Sequence, residues 1–125
     1  MPEEVIVWER YLAITDMTDK TIDYDVKVGE GIKTPADMPE PYARNSVFLS
    51  KKRIDAVVTG PENILIVEVK QLAGWTSIGQ VLGYPVLFQL EFNPDLPVGS
   101  LLVAESLTLD TKTILDFYGI SYLIV

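Results

Sequence analysis

Asp55, Glu68 and Lys70 stand inside one of the most apolar stretches of the chain, RIDAVVTGPENILIVEVK, residues 53–70. Strands rich in Val and Ile head for a core, where an unpaired charge is costly. The turn residues Gly60-Pro61-Glu62-Asn63 divide the stretch into strands at 52–59 and 64–70. A four-residue loop pairs Thr59 with Ile64 and Val57 with Ile66, which puts Asp55 opposite Glu68 and Arg53 opposite Lys70. Carboxylates so opposed are mutually destabilising. Diagonal ion pairs, Asp55 with Lys70 and Arg53 with Glu68, offer one relief. A divalent cation held between the two acids offers another, with Lys70 then facing whatever the metal binds. The Glu-x-Lys triplet alone says little, since chance supplies it about 0.4 times in a chain of this length. Its place at the end of ILIV and opposite an aspartate gives it weight.

The 125 residues contain neither cysteine nor histidine. Disulfides, thiol nucleophiles, Ser-His-Asp triads and Cys/His zinc sites are therefore excluded. Any metal must take oxygen ligands, which points to Mg²⁺, Mn²⁺ or Ca²⁺. Net charge is −8, unlike a general nucleic-acid binder. Residues 44–70 nevertheless carry Arg44, Lys51, Lys52, Arg53 and Lys70 against Asp55, Glu62 and Glu68, a balance of +2 that leaves −10 for the remainder. A locally basic strip thus surrounds the hairpin.

The elements that must position these residues form one domain, 1–125. EEVIVWERYLAI places Val5, Trp8, Tyr11 and Leu12 at helical spacing. TIDYDVKVG alternates like a half-buried strand, and residues 30–50, with Pro35, Pro39 and Pro41, read as a long connection. After the hairpin, a helix is expected to start near Ser77. It is apolar on almost every side and hence largely buried, with a kink or break at Pro85. Gly79 and Gly83 would let it approach the sheet. GSLLVAES then reads as a strand, Thr108–Tyr118 as a helix stopped by Gly119, and SYLIV as a last strand after a right-handed parallel crossover. The order is α-β-β-β-α-β-α-β, a mixed β-sheet sandwiched by helices in the α/β class.

Asp55, Glu68-Val69-Lys70 and Gly79-Gln80 with Tyr84 together resemble the PD-(D/E)XK nuclease superfamily, in particular its small viral and bacterial members similar to Holliday-junction resolvases. WERYL, YDVKVG and KRIDAV look like further elements of those members, and the likeness covers about residues 5–90. The resemblance implies a restriction-endonuclease-like core and a metal-dependent endonuclease acting on DNA, branched DNA included. It implies that Asp55, Glu68 and the backbone carbonyl of Val69 bind Mg²⁺, with Mn²⁺ as a substitute, and that Lys70 orients the attacking water. Gln80 would help to place that water, and Glu9 on the first helix would add a ligand. Gln80 has a second reading, as the reaching end of a Ser77-x-x-Gln80 capping box. Tyr84 and Glu9 have packing and solvated readings beside their functional ones. Arg53, Lys52, Lys51 and Arg44, with Tyr84, are the candidate nucleic-acid contacts.

The scarcity of positive charge supports an alternative, a catalytically inactive nuclease-fold module that binds within a nucleoprotein or viral assembly. A homodimer would suit a symmetric substrate. No apolar run approaches 18 residues and the first residues are acidic, so no membrane partner and a cytoplasmic location, the host's if the protein is viral, are expected.

Overall fold

The computed structural model describes residues 2–125. Helix α1 (Pro2–Ala13) leads into strand β1 (Thr21–Val28), then α2 (Tyr42–Ser50), β2 (Lys52–Thr59), β3 (Ile64–Ala73), α3 (Trp75–Phe92), β4 (Val98–Leu107), α4 (Leu109–Tyr118) and β5 (Tyr122–Ile124). The five strands form one mixed sheet in the order β1-β2-β3-β4-β5. The first three run antiparallel, and β3, β4 and β5 run parallel through the crossovers α3 and α4. Helix α1 covers one face, where Val7, Trp8 and Tyr11 pack on Ala56, Val58, Val67, Val69 and Val103. On the other face α3 sets Phe88 against Ile54, Val57, Ile64 and Ile66, and α4 adds Leu115 beside Val81, Leu102 and Ala104. The α/β class and the two-sided cover of the sheet are as expected.

One helix was missing from that expectation. The Pro-rich connection contains α2, whose first turn hangs from proline carbonyls: Ala43 N–H bonds Pro39 O, and Asn45 N–H bonds Pro41 O. Proline has no N–H to lose at a helix start, so Pro41 opens a helix as readily as it marks a loop.

Three expectations about α3 are corrected. It starts at Trp75, with Gly74 as its N-cap and no side-chain cap, so the Ser77-x-x-Gln80 capping box does not form. It continues through Pro85, so of the kink or break expected there the break does not occur. It is also buried on one side only, at Ser77, Val81 and Phe88, while Leu82, Val86 and Leu90 face outward. A Cβ at Gly79 or Gly83 would meet nothing within 4 Å, so neither glycine serves close packing on the sheet. By contrast, α4 has the ends its sequence announces. Thr108 Oγ1 accepts from Thr111 N–H at 3.4 Å, and Gly119 ends the helix with φ +64°.

Replacing the fully buried Ile66 by Ala should cost about 2–5 kcal/mol, read from urea midpoints. Leu90→Ala, on the outer side of α3, should change stability by less than about 0.5 kcal/mol. Equal losses would contradict this orientation of the helix.

Candidate functional site

The hairpin register is the expected one. Thr59 pairs with Ile64, Val58 with Leu65, Val57 with Ile66 and Ala56 with Val67. There the β2–β3 ladder stops, although β2 continues back to Lys52 beside β1 and β3 continues to Ala73 beside β4. The next pair would be Asp55 with Glu68, and their side chains take over from the ladder. Val69 N–H donates to Asp55 Oδ2 at 2.9 Å, and Asp55 N–H donates to Glu68 Oε1 at 3.3 Å. Each carboxylate thus satisfies a backbone donor that the parting strands have left without a strand partner.

Asp55 owes its position to a local change of face. Tyr24 meets Trp8 on the α1 side, whereas Val26, two residues on, packs with the α3-side cluster. In β2 the same happens between Ala56 and Ile54. Side chains two apart on a regular strand share a face. The alternation slips here because Asp25, between Tyr24 and Val26, has φ +54°. Among residues with a Cβ, aspartate tolerates that left-handed conformation comparatively well. The register continues Asp25 across from Asp55, so both strands turn over at one level. Asp55 lies at this turn. It reaches Glu68 in the gap and also lines a cavity on the α1 side with Glu4, Val5, Trp8, Tyr24, Asp25, Arg53, Ala56 and Val69.

Glu68 is 1% exposed. Burial, and next the adjacent Asp55 charge, push its carboxyl up to about 8, while the Lys70 ammonium pulls the other way. Two such acids cannot both ionise cheaply in a buried gap. At neutral pH Glu68 therefore holds a proton and can donate it in a hydrogen bond to Asp55. The diagonal ion pairs do not form. Arg53 Nε lies 3.5 Å from Asp25 Oδ1, and Lys70, half-buried, makes no ion pair among the described residues.

Helix α3 brings two polar groups near the gap. Gln80 Nε2 donates to Tyr84 Oη at 3.5 Å, and Gln80 Oε1 is buried without a partner among the described residues. Tyr84 packs on the Ile54–Phe88 cluster, and its hydroxyl pKa is raised by burial first and then by the charges of Glu68 and Asp55. Tyr84 is thus a packing residue that also borders the carboxylates.

Other sequence candidates lie further out. Glu9 is exposed and does not line the cavity, whereas Glu4, on the same helix, does. Lys51 lies 3.9 Å from Glu91, Lys52 is exposed at the start of β2, and Arg44 is exposed on α2. Sequence reading passed over Glu4, Tyr24 and Asp25. Their common signal, three residues across from or beside Asp55, emerges only once β1 and α1 are placed. Among the described residues no group of three or more acidic side chains is close enough together to hold a metal ion. No helix among the described residues is long and apolar enough to cross a membrane. Compared with known proteins, the chain matches no family model, no curated protein and no solved structure.

The raised Glu68 pKa has a definite sign in stability. The unfolded chain loses this proton near pH 4.5 and the folded one near 8, so the folded state binds more protons between those values. The contribution is whole below about pH 4.5 and is lost as pH rises to about 8, with a slope of up to about 1.4 kcal/mol per pH unit. Glu68→Gln, which keeps a donor at this position but cannot ionise, should flatten that slope and be the more stable form at the alkaline end. Parallel urea-midpoint profiles for the two proteins would contradict the shift.

Proposed function

We propose that the protein is a metal-dependent endonuclease of the PD-(D/E)XK type, with a restriction-endonuclease-like core, hydrolysing phosphodiester bonds in DNA. The observation that carries this reading is the Asp55–Glu68 pair at the point where β2 and β3 part, with Lys70 two residues beyond and in no ion pair among the described residues. An ion pair or an apolar residue would stabilise the hairpin better. A buried carboxyl held against a second one is the costly arrangement that a site, rather than a core, retains.

The donor set fits a hard cation. Mg²⁺ commonly takes one or two carboxylates and fills its remaining positions with water and phosphate oxygens. Asp55 and Glu68 would supply the carboxylates. The Val69 carbonyl points to the same side of β3 as its N–H, toward Asp55, and would add a third oxygen. When bound, the metal lowers the pKa of water and neutralises charge on the phosphate, so no histidine is needed.

The chain's own groups then divide the remaining work. The Lys70 ammonium, in no ion pair among the described residues, binds the attacking water or a phosphate oxygen and stabilises negative charge as it grows. Gln80 offers a buried acceptor and is held on its other side by Tyr84. Arg53, at the cavity rim, is a surface cation available to an adjoining phosphate.

The net charge of −8 favours a second reading, a module of the same fold that binds without cutting. Labelled single-stranded, duplex and four-way-junction DNA should be incubated with the protein in Mg²⁺, Mn²⁺ or EDTA. The nuclease reading expects cutting that needs metal and falls by at least about a hundredfold in Lys70→Ala and Asp55→Ala. Folded protein that cuts nothing would transfer the case to the binding module.

Mn²⁺ binding supplies an independent check. Calorimetry should detect binding to the wild type and none to Asp55→Asn, whose amide is a poorer ligand of nearly the same shape. Indistinguishable titrations would remove Asp55 from any metal site.

A further inference from the structure

The cavity beside Asp55 has features that the proposed hydrolysis does not use. Its volume is about 260 Å³. Clefts enclosing drug-sized ligands occupy ~300–1,000 Å³, so this one suits a single planar ring system and excludes a duplex. Val5, Trp8, Ala56 and Val69 give it apolar walls, and Arg53, Asp25 and Glu4 give it a polar rim.

Tyr24 forms one wall and is 54% exposed although aromatic. The Trp8 indole N–H donates to Tyr24 Oη at 3.0 Å, with the two rings at 87°. The indole therefore meets the phenol at its oxygen and does not lie over its face. Trp8 is itself buried and stacked on Tyr11, with centroids 5.3 Å apart and planes at 29°. Tyr24 is thus a braced aromatic platform at the mouth of a slot that reaches the catalytic aspartate.

We infer that this slot holds one unstacked nucleobase of single-stranded DNA, its ring against Tyr24 and its adjoining phosphate toward Arg53. The inference rests on the nuclease reading and deepens it by naming the substrate class. A paired base has both faces covered by its neighbours and cannot enter, so the preferred DNA is single-stranded or frayed beside the scissile bond. Charge leads to the same place. A strip of +2 on a chain of −8 neutralises few phosphates, and stacking must supply binding that backbone contacts cannot.

Fluorescence anisotropy in EDTA, where the strand stays whole, tests this with short labelled oligo(dC), oligo(dT) and a duplex of equal length. Wild type should bind both single strands more tightly than duplex. Tyr24→Phe keeps the ring and should keep the affinity; Tyr24→Ala should lose at least about fivefold on oligo(dC). Should Tyr24→Ala fail to fold by circular dichroism, Tyr24→Leu fills the position without an aromatic face and should show the same loss. A folded non-aromatic variant that binds oligo(dC) as wild type does would overturn the base slot. So would tighter binding of duplex than of single strands. Absence of all oligonucleotide binding in protein that still takes up Mn²⁺ would overturn the slot and leave the metal site standing. Tyr24-dependent binding in protein that cuts nothing would support the slot and remove the nuclease.

Discussion

The structure turns on two carboxyl groups that cannot both be charged where they stand. Asp55 and Glu68 face each other where the β2–β3 ladder ends, and each accepts a hydrogen bond from the other strand's backbone. The pair therefore replaces a rung of the sheet rather than merely decorating it. Glu68 stays protonated at neutral pH because it is buried beside Asp55. Helix α1 packs on one face of the sheet and α3 on the other, on either side of this gap.

Around this pair the fold accepts several departures from the most stable arrangement. Asp25 takes a left-handed φ in mid-strand. Gln80 leaves a buried oxygen without a partner among the described residues. Lys70 is half-buried without a counter-ion among them. Each departure alone costs on the order of 1–3 kcal/mol. All of them lie at or near the gap, while the interior of the sheet is apolar and close-packed. Strain gathered at one place, with a rigid support beneath it, is the pattern of a site held ready for a ligand.

Electrostatics limits what ligand the proposed site can take. A surface of −8 repels a long polyanion, and the basic residues of the strip are partly engaged already, Arg53 with Asp25 and Lys51 with Glu91. A short contact with one strand, held by a ring and a few charges, is compatible with that balance. An extended duplex interface is not.

Much of this was legible in the amino-acid order. Runs of Val and Ile on either side of turn residues located β2 and β3, the four-residue turn set their register, and that register alone brought Asp55 opposite Glu68. Thr108 and Gly119 marked the ends of α4, because caps act within a few residues of backbone. Other features were closed to a linear reading. Helix α2 hid behind prolines that serve loops and helix starts alike. The outward side of α3 was invisible because a helix apolar all round carries no moment to say which side is buried. Tyr24 looked like one more alternating strand residue until Asp25 turned the strand over and α1 supplied Trp8 to brace it. Local hydrogen bonds and side-chain periodicity act between near neighbours, so the sequence by itself determined the hairpin and its opposed acids. Which face each element shows to the others depends on packing between residues far apart in the chain, and only the tertiary structure decided the cavity, its aromatic wall and the groups at its rim.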